Sequence, residues 1–422
     1  MTDPSIRREV LPNGLRLVTE SMPHVRSVSV GVWLTRGSRH EPVAHAGIAH
    51  FVEHMLFKGT ATRSAEDIAQ QIDSIGGQLD AFTSKEYAGY FIKVLDEHLP
   101  VALDVLADLV TRPAFDPDEI GREQKVVLEE IKMVEDTPDD LVHEIFAERF
   151  WNGHALGRPI LGTAASVSAL DAPALRRYFD EAYVTRNFVV SAVGRLEHER
   201  LRDLVGEAFA HARHDGPPID EPRPVTAADV VIRRKDLEQS HVCFGTPGLA
   251  QSHEARYAGY VLNTVLGGSM SSRLFQNVRE KRGLAYAVFS SLSAYRDAGA
   301  LTVYAGCANE AVGELVDVVV EELRRLRREP IEAGELRRAK DHLKGSLMLG
   351  LESTSSRMSH LARQEIYDDR TDSLDGMLAG VEAVTAERVQ ALATALFAGD
   401  ALGLTVLGDV NGLDVTRDRL AL

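Results

Sequence analysis

Cysteine is almost missing from this chain. Cys243 and Cys307 are the only two in 422 residues, too few for a disulfide scaffold or a thiolate-bound metal cluster. Both are expected as reduced core residues. The segment Met1 to Glu20 has no apolar run and contains Asp3, Glu9 and Pro12, so it reads neither as a secretory signal nor as a membrane anchor. It also lacks the Arg/Ser-rich, acid-free character of an organelle transit peptide, and the simplest expected address is cytoplasmic. Gly (33) and Pro (16) are too sparse for a fibrous or low-complexity chain. Positive charge is in deficit: 47 Lys and Arg stand against 63 Asp and Glu, a formal net charge of −16. No cationic field is available to hold a phosphate backbone, which argues against nucleic acid as a partner, while basic peptides would be weakly attracted.

What remains is ordinary globular material, 44% hydrophobic and 26% charged. At about 150 residues per domain the length predicts two or three domains with a sizeable core. The clearest linker is Ala212 to Thr226, where four of the 16 prolines sit among Gly and Asp without apolar periodicity. It divides the chain into residues 1–213, a linker at 214–227, and residues 228–422. The halves rhyme, because Phe188 to Gly194 matches Leu402 to Gly408 at an offset of 214, and both read as strands closing a unit. At the same offset a charged helix at Pro117 to Glu130 falls on a second one at Ile331 to Lys344. The expectation is an internal duplication. Two tandem homologous αβ domains of the α+β class follow, each an antiparallel or mixed sheet with helices packed on one face.

The sharpest chemical signal is His50-Phe51-Val52-Glu53-His54. Residues four apart share a helix face, so both imidazoles reach one ion, with Glu53 beside them. This is the inverted zinc-protease spacing H-x-x-E-H, in which two His bind metal and Glu handles the protons of the attacking water. Ile48, Ala49, Phe51, Val52, Met55, Leu56 and Phe57 make the neighbourhood apolar. Burying two His and a Glu there without a partner costs several kcal/mol, which a bound cation offsets.

A catalytic zinc takes three protein ligands and keeps one position open, so a third donor must come from elsewhere. With cysteine so scarce it is His, Asp or Glu. Asp116, Pro117 and Glu119 announce a helix by an N-cap, a first-turn proline and a capping box. That helix is expected to run to about Met133. Glu123 and Glu130 lie two turns apart on one side of it, flanked by Ile120, Val127 and Ile131. Glu129 and Glu135 belong to the same acidic stretch, and spacing alone leaves the choice of ligand open.

These features, with Asn13–Val18, Gly47–Thr60, Ala81–Glu86 and His154–Thr163, resemble the pitrilysin/insulinase family of zinc peptidases, which includes the mitochondrial processing peptidase. The resemblance covers nearly the whole chain. It implies that Glu130 is the third ligand, giving one Zn²⁺ per chain held by His50, His54 and Glu130. Glu123 would be an outer group orienting a ligand, and Glu129 a surface acid. It implies further that Arg279 and Tyr286, seven residues apart, bind the substrate backbone and steady the oxyanion. Asp80, Ala81 and Phe82, within Gly76 to Lys85, would belong to an edge strand to which an extended peptide adds. Many members carry Asn where Asp80 stands, and an ionised carboxylate there cannot donate a hydrogen bond.

By this resemblance the chain is a zinc metalloendopeptidase acting on unfolded or extended peptides, with zinc-bound water activated by Glu53. Only the first half carries the motif, and Lys344 falls opposite Glu130. Half-length members pair, so a homodimer, or a heterodimer with a related chain, is expected to enclose a chamber. Arg279 and Tyr286 would then act on the partner's zinc. The alternative is a non-catalytic or partner-dependent subunit of a heteromeric processing peptidase. No membrane partner is expected.

Overall fold

A computed structural model describes residues 5–219, 221–368 and 372–422. Asp220 of the expected linker lies outside the described residues. The first half of the chain runs β1 (Ile6–Val10), β2 (Arg16–Ser21), β3 (Ser27–Leu34), α1 (Ile48–Leu56), α2 (Ala65–Ser74), β4 (Gln78–Thr83), β5 (Ala88–Leu95) and α3 (Leu99–Thr111). It continues through α4 (Pro117–Asp136), α5 (Pro138–Phe150), α6 (Ala164–Ser168), α7 (Ala172–Ala182), β6 (Phe188–Gly194) and α8 (His198–Ala208). The second half runs β7 (Val230–Arg234), β8 (Gln239–Pro247), α9 (Arg256–Leu266), β9 (Ala285–Ala294), β10 (Gly299–Ala308), α10 (Val312–Arg328) and α11 (Ala333–Gly350). It closes with α12 (Thr354–Tyr367), α13 (Leu374–Glu382), α14 (Ala386–Leu396), β11 (Gly403–Gly408) and α15 (Arg417–Leu420).

Two mixed sheets result. The first has the order β1-β2-β6-β3-β5-β4 and the second β7-β11-β8-β10-β9. In each, the closing strand pairs parallel with one strand and antiparallel with the next: β6 with β2 and β3, β11 with β7 and β8. The two strands that matched at an offset of 214 thus hold equivalent places, and the class is α+β as expected.

Strand alternation shows how each sheet is buried. In the first, Leu17, Val28, Val30, Val32, Val190 and Ala192 face a core that includes α1 and α3. Their neighbours Val18, Trp33, Val189 and Val193 face the other way, against Met358, Leu361, Ala362 and Ile366 of α12. Period-two side chains buried on both faces explain why β6 reads as one apolar run. Ser191 donates to the Met358 carbonyl at 2.8 Å, and Ser29 bonds Thr354 at 2.9 Å. The second sheet is built the same way. Val242, Phe244, Leu301, Val303, Leu404 and Val406 face one core, while Cys243, Ala300, Tyr304 and Leu407 face Leu141, Val142, Ile145, Phe146 and Phe150 of α5.

The compact units are therefore not contiguous. One is Met1–Met133, Arg158–Glu221 and Gly350–Ser373; the other is Val134–Gly157, Pro222–Leu349 and Leu374–Leu422. This partition differs from the expected 1–213 and 228–422. Linker composition marks where the chain is extended, but the apolar stripes of α5 and α12 are buried by the sheet of the opposite half. Cys243 and Cys307 are free and buried. Among the described residues no helix is long and apolar enough to cross a membrane.

Candidate metal centre

Helix α1 is oriented by what it buries. Ile48, Ala49, Phe51, Val52, Met55 and Leu56 are all inside, which leaves His50, Glu53 and His54 on the one remaining stripe. Its entry is a left-handed turn at Gly47, φ +93°, where a Cβ would come within 2.5 Å of the Leu161 carbonyl oxygen. Only glycine fits there. The buried Glu41 carboxylate accepts from the Gly47 and Ala49 backbone N–H groups at 2.9 and 2.8 Å, satisfying donors that a helix start leaves open.

Burial nevertheless raises the Glu41 pKa from 4.5 to about 7, against the opposing pull of those two donors. The folded state binds this proton more tightly than the unfolded state, so its contribution to stability is full below about pH 4.5 and is lost as pH rises through about 7. Relative to Glu41→Gln, which cannot ionise, wild-type stability in denaturant titrations is expected to decline over that window by up to about 3 kcal/mol. A difference that does not change with pH would show that Glu41 is ionised throughout.

Helix α4 brings the second carboxylate. Asp116 caps it, accepting from Asp118 N–H at 2.8 Å, and Pro117 opens it. The expected capping box is only half formed, because the Glu119 carboxylate turns to Arg122 instead. The helix also runs past Met133 to Asp136. Ile120, Glu123 and Val127 form its buried stripe, and Glu130 follows on the same side. Glu129 lies at the surface, paired with Lys132 at 2.7 Å.

Across the two helices, one ligand atom each from His50, His54 and Glu130 lies within 4.8 Å of the others. Glu130 Oε2 is 3.8 Å from His50 Nε2 and Oε1 is 3.7 Å from His54 Nε2. Among the described residues this is the one such group of three or more. His54 Nδ1 lies 3.0 Å from Glu123 Oε2, which sets the proton on Nδ1 and turns the Nε2 lone pair toward the cluster. Glu123 is held in turn by Lys58 at 2.6 Å. Burial, reinforced by His54, lowers the His50 pKa to about 4, so its ring is neutral near pH 7. Two imidazoles and a carboxylate form the N₂O set that suits zinc. Glu123→Gln is expected to weaken zinc binding by about 10- to 100-fold, read by chelator competition; unchanged affinity would remove Glu123 from the outer shell.

Glu53 accepts a hydrogen bond from Thr83 Oγ1 at 2.5 Å. Burial raises its pKa; the Thr83 bond and His54 oppose this, while Asp80 and Glu130 add to it. The strand bearing Thr83, β4, is the outer strand of its sheet and, among the described residues, pairs only with β5. Gly76, φ +63°, turns the chain from α2 toward it. Asp80 Oδ1 accepts from the Ala81 N–H at 2.8 Å, so this carboxylate satisfies a backbone donor of its own strand. The Phe82 ring packs away against Trp33 and Tyr87, both at 5.7 Å. Arg279 and Tyr286 lie in the other unit and touch each other. The guanidinium sits 4.5 Å from the Tyr286 ring centroid and donates to the Tyr286 carbonyl at 3.0 Å, and Tyr286 is highly exposed.

Sequence reasoning gave no role to Thr83, Lys58 or Glu41. Period two places Thr83 on the same strand face as Ala81, but which helix that face meets is a tertiary fact.

Two αβ units, one carrying a His/His/Glu cluster beside the half-buried Glu53, make up the arrangement expected of a metallopeptidase. Residues 16–164 match the model of Insulinase (Peptidase family M16), and residues 169–343 match that of the Peptidase M16 inactive domain. The chain belongs to the insulinase family, peptidase family M16. It is 45% identical over 395 residues to the uncharacterized zinc protease YmxG of Bacillus subtilis, covering 94% of this chain and 96% of that one. An uncharacterized zinc protease of Streptomyces coelicolor is 42% identical over 422 residues, covering 98% and 92%. The fold matches the crystal structure of a protease from Helicobacter pylori with a TM-score of 0.89 at 23% identity, covering 96% and 99%.

Proposed function

We propose that this chain is a zinc-dependent endopeptidase that hydrolyses unfolded or extended peptides, with His50, His54 and Glu130 holding the metal. The observation that carries this reading is the convergence of those three ligand atoms within 4.8 Å, with His50 and His54 on the same face of α1 as Glu53. When bound, zinc supplies Lewis acidity toward water and the scissile carbonyl. Glu53 takes the proton of the attacking water and passes it to the leaving amine. Burial raises its proton affinity, which suits a group that must hold a proton briefly. Glu123 keeps His54 in the metal-binding tautomer. The outer strand β4 offers unpaired backbone groups to an extended peptide, a mode that tolerates many sequences.

Arg279 and Tyr286 are proposed to bind substrate and stabilise the oxyanion from the facing unit of a dimer, a role supported by the family resemblance. Mixing a Glu53→Gln chain with an Arg279→Ala chain is expected to recover activity that neither has alone; no recovery would mean that each chain works by itself. The reading as a whole is tested by counting zinc on purified protein while assaying a mixed peptide library beside simple esters. One zinc per chain with peptide cleavage supports it. Zinc without hydrolysis favours the non-catalytic subunit, and ester cleavage alone a different hydrolase.

A further inference from the structure

We infer that Thr83 is the positioning residue of the catalytic base, pinning one oxygen of Glu53 so that the other is left to take the proton. The inference rests on the peptidase reading above. Thr83 Oγ1 donates to Glu53 Oε2 at 2.5 Å, the short range of a hydroxyl donating to a carboxylate. Among the described residues it is the one hydrogen-bond partner of that side chain, and Oε1 has none.

The need for such a pin follows from where Glu53 sits, next to His54 in the chain and on the same stripe of α1 as both imidazoles of the cluster. A flexible carboxylate beside a divalent cation is drawn to become a ligand, and a ligand cannot also act as the base. One hydroxyl holding Oε2 opposes that collapse and removes the rotamer freedom that would otherwise be lost during reaction. Thr83 is itself rigid. It pairs with Ala88 in the β4–β5 ladder, and the next residue closes a turn, Ser84 N–H donating to the Tyr87 carbonyl at 2.8 Å. The strand open to an added peptide is therefore also the strand that orients the base, so substrate register and base position are set by one element.

The test compares wild type, Thr83→Val and Thr83→Ser in steady-state peptide hydrolysis, with zinc counted on each. Valine keeps the β-branched shape and removes the donor; serine restores the donor. The expected result for Thr83→Val is a kcat at least about tenfold lower with KM and zinc content unchanged, and for Thr83→Ser a kcat near wild type. The inference is overturned by an undiminished kcat in Thr83→Val, by a loss appearing in KM, by Thr83→Ser being no better than Thr83→Val, or by zinc loss or misfolding in Thr83→Val, which would mark the residue as structural. Zinc-loaded wild type that cleaves no peptide would instead overturn the peptidase reading itself.

Discussion

Glu53→Gln is expected to leave zinc content and fold intact while lowering kcat for peptide hydrolysis by about 10²- to 10⁴-fold. The amide is nearly isosteric and can still accept from Thr83 through its oxygen, so the bond at 2.5 Å has a counterpart in the variant. What disappears is the ability to take a proton from water and return it to the amine. Because Glu53 is not one of the three clustered donors, metal counting and activity should separate cleanly. Residual hydrolysis within threefold of wild type would identify another base.

Glu130→Gln is expected to produce the opposite pattern, in which metal and activity fail together. A neutral amide oxygen is a much weaker zinc donor than a carboxylate, and two imidazoles alone do not complete the three-ligand set of a catalytic site. Zinc per chain should fall well below one after dialysis, with peptide hydrolysis lost in proportion. Wild type stripped by a chelator should lose activity and regain it when zinc is restored. Zinc should also raise the thermal midpoint of wild type by mass action, since it binds the folded cluster far better than the unfolded chain. Glu130→Gln should show little of that shift. A variant that keeps zinc and turnover would place the third ligand elsewhere.

The two variants differ because α1 and α4 contribute differently. The pattern on α1 was legible from sequence: six buried apolar residues leave one polar stripe, and any helix with that pattern must present His50, Glu53 and His54 together. On α4, periodicity put Glu123 and Glu130 on one side but left the ligand open among Glu123, Glu129, Glu130 and Glu135, and only the family resemblance chose Glu130. The structure separates Glu123 from Glu130 by depth. Glu123 is nearly inaccessible and is gripped by Lys58 and His54, whereas the partly exposed Glu130 faces both Nε2 atoms. Thr83 escaped notice because it lies 30 residues from Glu53, and one hydroxyl on a strand has no periodic signature.

The covers of the two sheets were equally hidden. The apolar residues of α5 and α12 state only that a face must be buried and not by what. Ser191 and Met358, bonded through the latter's carbonyl, are 167 positions apart.

The sequence by itself determined the α+β class, the duplicated closing strands and the gathering of His50, Glu53 and His54 on one face of α1, because each is written in local periodicity or fixed spacing along the chain. The tertiary structure decided the exchange of α5 and α12 between sheets, the separate depths of Glu123 and Glu130, and the contact of Thr83 with Glu53. Those are choices among partners that satisfy the same local pattern equally well, and only packing in three dimensions distinguishes them.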